Sequence, residues 1–196
     1  MISVKTKKNN SLKVVFLDRD GVINEFPGHG NYVTKVKDFR FVPGALEALR
    51  CLTQEGYVIL VVSNQAGVMK GIYSKNKLNR ITRHMLKTVT RHKGRIKRVF
   101  YCIHRSEDGC GCRKPEIGLI KKALGSIRKT LRHAPKTFFV GDTDSDVLAG
   151  HNAGCKTIFV LSGRETRKSV RRWRIQPDFI AKDLLQASRI IVSSRD

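Results

Sequence analysis

Asp18 and Asp20 stand two residues apart in VVFLDRDGVIN, directly after an apolar run, and Asp142 follows another such run in TFFVGDTDSD. If the two runs are neighbouring strands, three carboxylates meet at one point, an arrangement that is repulsive unless a cation sits among them. Mg2+ suits that place, because it prefers oxygen ligands, uses one or two protein carboxylates and leaves room for water and a substrate phosphate. With a phosphoryl group drawn there, a carboxylate can act as nucleophile and form an aspartyl-phosphate. Asp18, the first carboxylate off its run, takes that role; Asp20 can protonate the departing oxygen and then take a proton from the hydrolytic water. Either acidic motif alone also describes an Asx-turn, so the chemistry rests on their combination.

Ser63 and Asn64 follow the run YVILVV and offer a hydroxyl and an amide, neutral donors suited to phosphoryl oxygens. Arg113 supplies a planar fork for bidentate phosphate recognition and Lys114 a point charge. A phosphoryl group in transfer carries charge on its equatorial oxygens, which calls for fixed donors and cations around it. Just upstream, Cys102, His104, Cys110 and Cys112 form C-x-H-x5-C-x-C within YCIHRSEDGCGCRKP. Three thiolates and one imidazole are the donor set of a closed, four-coordinate structural zinc site. Zinc tying together the ends of the loop 102–112 would hold Arg113 and Lys114 still, which makes this metal a scaffold. Cys51 lies in a helical pattern and Cys155 beside an apolar run, and both read as small core residues.

Short apolar runs at 14–17, 57–62, 99–103, 137–140 and 157–161 alternate with amphipathic stretches such as ALEALRCLTQEG, KLNRITRHMLKTVTRH and IGLIKKALGSIRKTL. This alternation predicts an α/β fold, a Rossmann-like, mostly parallel sheet with helices on both faces. In such sheets ligands lie outside the carboxyl ends of the strands. Four of the runs are followed there by DRDGVIN, SNQAGVMKG, the cysteine knot and GDTDSD.

A chain of 196 residues, 40% hydrophobic, fits one domain over 1–196, with residues 1–11 as a flexible arm. MISVKTKKNNSLK lacks the apolar run of a signal peptide, and no segment reaches the ~18 apolar residues of a membrane span. The expectation is a cytoplasmic protein with no membrane association. Five cysteines in a reducing compartment point to metal rather than disulfides, and nothing advertises an oligomer interface, so a monomer is expected. Thirty-nine Lys and Arg against sixteen Asp and Glu give a net charge of +23, which attracts polyanions. The dense runs KTKKNN, RHKGRIKR and RETRKSVRRWR read as solvated faces, with any nucleic-acid binding nonspecific and salt-sensitive. A zinc-containing nucleic-acid binder is the non-enzymatic alternative; its weakness is that Asp18, Asp20 and Asp142 would repel phosphates.

DRDGVIN, SNQAGVMKG, CGCRKP and GDTDSD, in this order, resemble the motifs of the haloacid dehalogenase superfamily of phosphatases over roughly residues 12–192. The zinc loop before RKP resembles the group that contains heptose 1,7-bisphosphate phosphatases and histidinol phosphatases. The resemblance implies Asp18 as nucleophile, Asp20 as general acid/base, and Mg2+ held by Asp18, Asp142 and the Asp20 main-chain carbonyl. It also implies phosphoryl contacts from Ser63, Arg113 and Lys114, further substrate contacts from Asn64, Gln65 and Lys70, and no large cap domain. NQAGVMKG and GNYV followed by DFRFVPG look heptose-like, with Lys70 where that pattern usually has Arg. The five-residue spacer between His104 and Cys110 resembles the histidinol enzymes, and Thr143 stands where the family commonly has Lys or Arg. A sugar bisphosphate is therefore the expected substrate, with histidinol phosphate or a phosphorylated nucleic-acid end as alternatives.

Overall fold

In the computed structural model, which describes residues 12–130 and 136–194, the apolar runs lie side by side in one sheet. The strands are β1 Lys13–Leu17, β2 Val58–Asn64, β3 Ile96–Cys102, β4 Lys136–Gly141, β5 Lys156–Val160 and β6 Phe179–Ala181. Their order is β3-β2-β1-β4-β5-β6, and every pairing is parallel. The central strands are apolar throughout because both of their faces are covered. Alternate side chains go to opposite layers. Val15, Leu17, Ile59, Val61 and Val140 join one core, and Val14, Phe16, Leu60, Val62 and Phe139 the other.

The first layer is covered by α1 Ala45–Gln54, α2 Lys75–Arg91 and α6 Leu184–Ser193; the second by α3 Gly118–Gly125 and α4 Asp144–Asn152. A further short helix, α5, spans Arg167–Val170. In α2, Leu78, Ile81, Met85 and Val89 recur at three- and four-residue spacing and are all buried. Among the described residues, no helix is long and apolar enough to cross a membrane. Among the described residues, no connection between the motifs holds a large cap domain.

The structure differs from the sequence expectation in three places. The stretch expected to be helical from 117 onward stops at Gly125, and Arg128 beyond it takes a left-handed backbone with φ 54°. Strand β6, three residues long, and the single-turn α5 are too short for periodicity to reveal. Cys155 is buried as expected, whereas Cys51 is only half-buried. The proposed arm at 1–11 lies outside the described residues.

The strand order reverses between β1 and β4, which is where open α/β sheets place their ligands. Leu17 pairs with Val140, and the Asp18 amide donates to the Val140 carbonyl at 2.9 Å, so the residues following these two strands emerge together.

The basic run 164–174 is anchored rather than free. Trp173 packs edge-on against Phe159 with ring centroids 4.8 Å apart, beside Val147 and Val170. Trp173→Ala is expected to lower unfolding free energy by about 2–4 kcal/mol. Urea denaturation followed by circular dichroism checks this, and an unchanged midpoint would mean that the ring adds nothing to this satellite core.

Candidate active site

An open cleft of about 330 Å³ lies across the carboxyl ends of β1, β2 and β4. That is at the lower end of the range for small-molecule sites. Asp18, Asp20, Asp142, Lys114, Asn64 and Arg113 reach its lining, along with Lys70 and the loop 26–32.

At the head of the cleft, Lys114 Nζ makes ion pairs with both Asp18 Oδ1 and Asp146 Oδ1 and donates to the Val62 carbonyl at 3.1 Å. All three charged groups are buried, as is Asp142, at 3% exposure. Burial holds the Asp18 carboxyl up at about 6 despite Lys114, with Asp146 and Asp20 adding to the rise. Burial, and then the charges of Asp146 and Asp18, lift Asp142 well above the usual carboxylate range. Burial pulls Lys114 down, but Asp146 and Asp18 outweigh it and the ammonium is held above its ordinary value.

Three buried carboxylates therefore crowd round one ammonium, which pairs with only Asp18 and Asp146 and leaves the cluster acidic in excess. Asp18 and Asp142 present hard oxygen donors to the cleft, the donor type that Mg2+ takes. Backbone crowds Asp142: a Cβ at Gly21 or Gly163 would come within 2.2 or 2.1 Å of its Oδ2. The Arg164 amide donates to that same oxygen at 2.7 Å. The residues present thus fit a magnesium ion held through Asp18 and Asp142.

Asp20 is fixed by three side chains. Arg19 reaches both of its oxygens, at 2.8 and 2.9 Å, Asn24 Nδ2 donates at 2.9 Å and Gln65 Nε2 at 2.8 Å. Tyr73 in turn donates to Gln65 Oε1 at 2.6 Å. Arg19 is fully buried, with its guanidinium 5.7 Å from the Tyr101 ring centre. Burial opposes its charge, yet Asp20 outweighs this and holds the guanidinium above its ordinary value.

Some expected substrate contacts take other places. Gln65 is fully buried under Asp20, and Ser63 is buried beside it, its Oγ accepting from Gln65 at 3.2 Å; neither reaches the cleft lining. The Asn64 amide is engaged at both ends by the Lys114 main chain, donating to its carbonyl and accepting from its N–H, each at 3.1 Å. Lys70 is exposed on the rim. Asp146, Arg19, Asn24, Tyr73 and Arg164 were not singled out from sequence. Asp146 had a usable signal: Thr143 caps the start of α4 and Asp146 stands three residues later, a capping box. Its Oδ2 accepts from Thr143 Oγ1 at 2.6 Å, so Thr143 turns inward to the helix start.

Cys102, His104, Cys110 and Cys112 offer ligand atoms that all lie within 4.8 Å of one another. The sulfur–sulfur separations are 3.2 to 3.6 Å, and His104 Nδ1 lies 3.2 Å from Cys112 Sγ. A tetrahedron with zinc–sulfur bonds of 2.3 Å has edges of about 3.8 Å, so the set can hold zinc after a small expansion. Burial, and next the Cys112 thiol, push the Cys102 thiol up to about 12, a penalty that a cation among the four would remove. Arg113 Nη1 donates to the His104 carbonyl at 3.3 Å, which ties the phosphate-type fork to the knot.

Comparison with known proteins gives relatives along most of the chain. A D-glycero-beta-D-manno-heptose-1,7-bisphosphate 7-phosphatase of Helicobacter pylori is 35% identical over 153 residues, covering 78% of this chain and 85% of that protein. The HAD-hydrolase-like family profile matches residues 111–187. The chain belongs to the haloacid dehalogenase-like hydrolases. Within them, a D-glycero-alpha-D-manno-heptose-1,7-bisphosphate 7-phosphatase of Campylobacter jejuni is 33% identical over 76% of this chain and 83% of its own. The crystal structure of D,D-heptose 1,7-bisphosphate phosphatase from B. bronchiseptica, complexed with magnesium and phosphate, superposes with a TM-score of 0.85 at 28% identity. It covers 94% of this chain and 100% of that one.

Zinc removal tests the knot. Cys112→Ser is expected to lose the metal and to lower the melting temperature by at least about 5 °C, the shift of roughly 2 kcal/mol in a chain of this size. Elemental analysis of protein purified without chelator is expected to find one zinc per chain, and a metal-free preparation of equal stability would remove this reading.

Proposed function

We propose that this hydrolase is a Mg2+-dependent phosphatase of D-glycero-D-manno-heptose 1,7-bisphosphate that releases the 7-phosphate and leaves the heptose 1-phosphate. The observation that carries the reading is the meeting of Asp18, Asp142 and Lys114 at the head of an open cleft, in a chain whose relatives bear that activity in their names.

Asp18 attacks the phosphorus, the bond to the sugar oxygen breaks, and Asp20 delivers its proton to that oxygen as it leaves. Water then attacks the aspartyl-phosphate, gives a proton back to Asp20 and frees Asp18. Mg2+ held by Asp18, Asp142 and the Asp20 main-chain carbonyl would supply the positive charge that lets an anionic phosphoryl group approach two carboxylates. Lys114 keeps Asp18 ionised and aimed, and Arg113 provides a fork for the phosphoryl oxygens. Arg19, Asn24 and Gln65 hold the Asp20 carboxylate in one orientation, which proton delivery to a departing oxygen requires. Lys70, on the rim, is a cation for the second phosphate.

Under this reading residues 1–196 form one phosphatase domain, which works as a monomer in the cytoplasm. A reducing compartment keeps the three thiols available to zinc.

The deciding assay is Mg2+-dependent phosphate release from both anomers of the heptose bisphosphate, histidinol phosphate and a 3′-phosphorylated oligonucleotide. Preference for one heptose anomer is expected. Preference for either of the other two would keep the mechanism and replace the substrate. Asp18→Asn is expected to lower kcat by about 10³-fold or more and Asp20→Asn severely; near-normal turnover by Asp18→Asn would reassign the nucleophile. Gln65→Leu, which removes one donor to Asp20, is expected to lower kcat about ten-fold with KM little changed. A raised KM at constant kcat would instead place Gln65 on the substrate.

A further inference from the structure

The large positive charge is not distributed evenly. Between Glu55 and Glu107 the sequence contains no carboxylate side chain, and this span holds β2, α2 and β3. Along α2, Lys77, Arg80, Arg83, Lys87 and Arg91 recur at three- and four-residue steps, so they form one stripe on the helix, and all five are exposed. Fourteen residues at a rise of 1.5 Å give the stripe a length of about 21 Å. Lys93 and Arg95 continue it through the turn, and Lys97 and Arg98 lie exposed on β3, the edge strand of the sheet. Among the described residues, none of these cations has a carboxylate within ion-pairing distance.

Two plainer explanations cover part of this. Cations on an edge strand prevent strand-to-strand aggregation, which accounts for Lys97 and Arg98 but not for the helix. A solvated helix face is usually laced with charges of both signs, because i,i+4 pairs of opposite charge stabilise it and like charges do not. The α2 stripe has one sign only, at a cost in helix stability that a polyanion would reverse.

We propose that the exposed face of α2, with the β3 edge, is a sequence-nonspecific binding surface for the phosphodiester backbone of a nucleic-acid duplex. About 21 Å of duplex axis carries roughly twelve phosphates, more than enough to meet five cations. The neighbours on the helix surface, Asn76, Asn79 and Thr90, are small and polar and offer further phosphate donors. No exposed aromatic side chain stands on the stripe to stack on a base, so the surface reads charge and not sequence. An anionic membrane is disfavoured because an interfacial helix must offer its apolar face, and here Leu78, Ile81, Met85 and Val89 are buried in the core. The surface does not depend on the phosphatase reading: all five stripe residues lie outside the cleft lining.

The test compares two variants of equal net charge. One carries Lys77, Arg80, Arg83, Lys87 and Arg91→Gln; the other carries Arg167, Lys168, Arg171, Arg172 and Arg174→Gln, also exposed cations, on the opposite side of the sheet order. Fluorescence anisotropy with mixed-sequence DNA and RNA duplexes of about 20 base pairs, over a salt series, reads affinity and its slope. The unaltered chain is expected to bind at about 50 mM salt, and the stripe variant to lose at least ten-fold in affinity and about 4 in the slope of log affinity against log salt. The second variant is expected to keep most of both, and Mg2+-dependent phosphate release by both variants controls for folding. Equal loss in the two variants would reduce the effect to bulk charge and overturn the proposal. So would absence of duplex binding by the unaltered chain, or co-sedimentation with phosphatidylglycerol vesicles in place of duplex binding.

Discussion

The buried ammonium of Lys114 is the charge around which the site is organised. A lysine in this position is held only because Asp18 and Asp146 both face it. Removing one partner of such a group leaves an uncompensated charge in a low-dielectric setting, which costs several kcal/mol. The three residues come from the ends of β1, the knot after β3 and the first turn of α4, so the contact fixes three connections relative to one another. Asn64 adds a fourth from β2 by gripping the Lys114 main chain at both its N–H and its carbonyl. The sheet order makes this possible, because β1 lies between β2 and β4 and sets their carboxyl ends side by side.

The two carboxylates of the DRD motif occupy different environments although they are two residues apart. Asp18 points into a buried cluster of like charge, where burial raises its pKa to about 6 and Lys114 is its counter-ion. Asp20 meets the Arg19 fork and two amides. The proposed mechanism, with Asp18 as nucleophile and Asp20 as proton carrier, uses this separation of surroundings, since one must stay ionised next to a phosphate and the other must exchange a proton beside it. The Tyr73–Gln65 contact carries the ordering of Asp20 back into the loop that leads to α2. The zinc-type knot does the same for Arg113, through the His104 carbonyl.

Charge of opposite sign is segregated in this chain. Carboxylates collect at the head of the cleft, while the unit from β2 to β3 carries none. A site that gathers negative charge needs a metal to admit a phosphate; a surface that gathers positive charge attracts one directly. Lys70 belongs to the acid-free span and also to the cleft rim, so the two regions meet at the entrance. In a β-α-β unit with parallel strands the helix runs back against them, so α2 begins at that edge of the sheet and carries its cations away from it.

The sequence by itself determined the α/β alternation, the parallel sheet, the metal-ligand spacing of the knot and the placing of Asp18, Asp142 and Lys114 beyond the ends of strands. These are all consequences of local pattern: apolar runs, helical spacing, and polar residues placed where strands end. Tertiary structure alone decided that Gln65 and Ser63 lie beneath the cleft wall, that Asp146 shares Lys114 with Asp18, and that Arg19 turns inward to clamp Asp20. It also decided that Trp173, at the centre of a basic run, packs on Phe159 instead of facing solvent. These placements depend on which way a side chain turns once its neighbours from distant strands are present, and a buried polar group turns to whichever partner satisfies it. Those partners lie 45 residues away for Gln65 and Asp20 and 96 for Lys114 and Asp18, separations at which no local pattern specifies a contact.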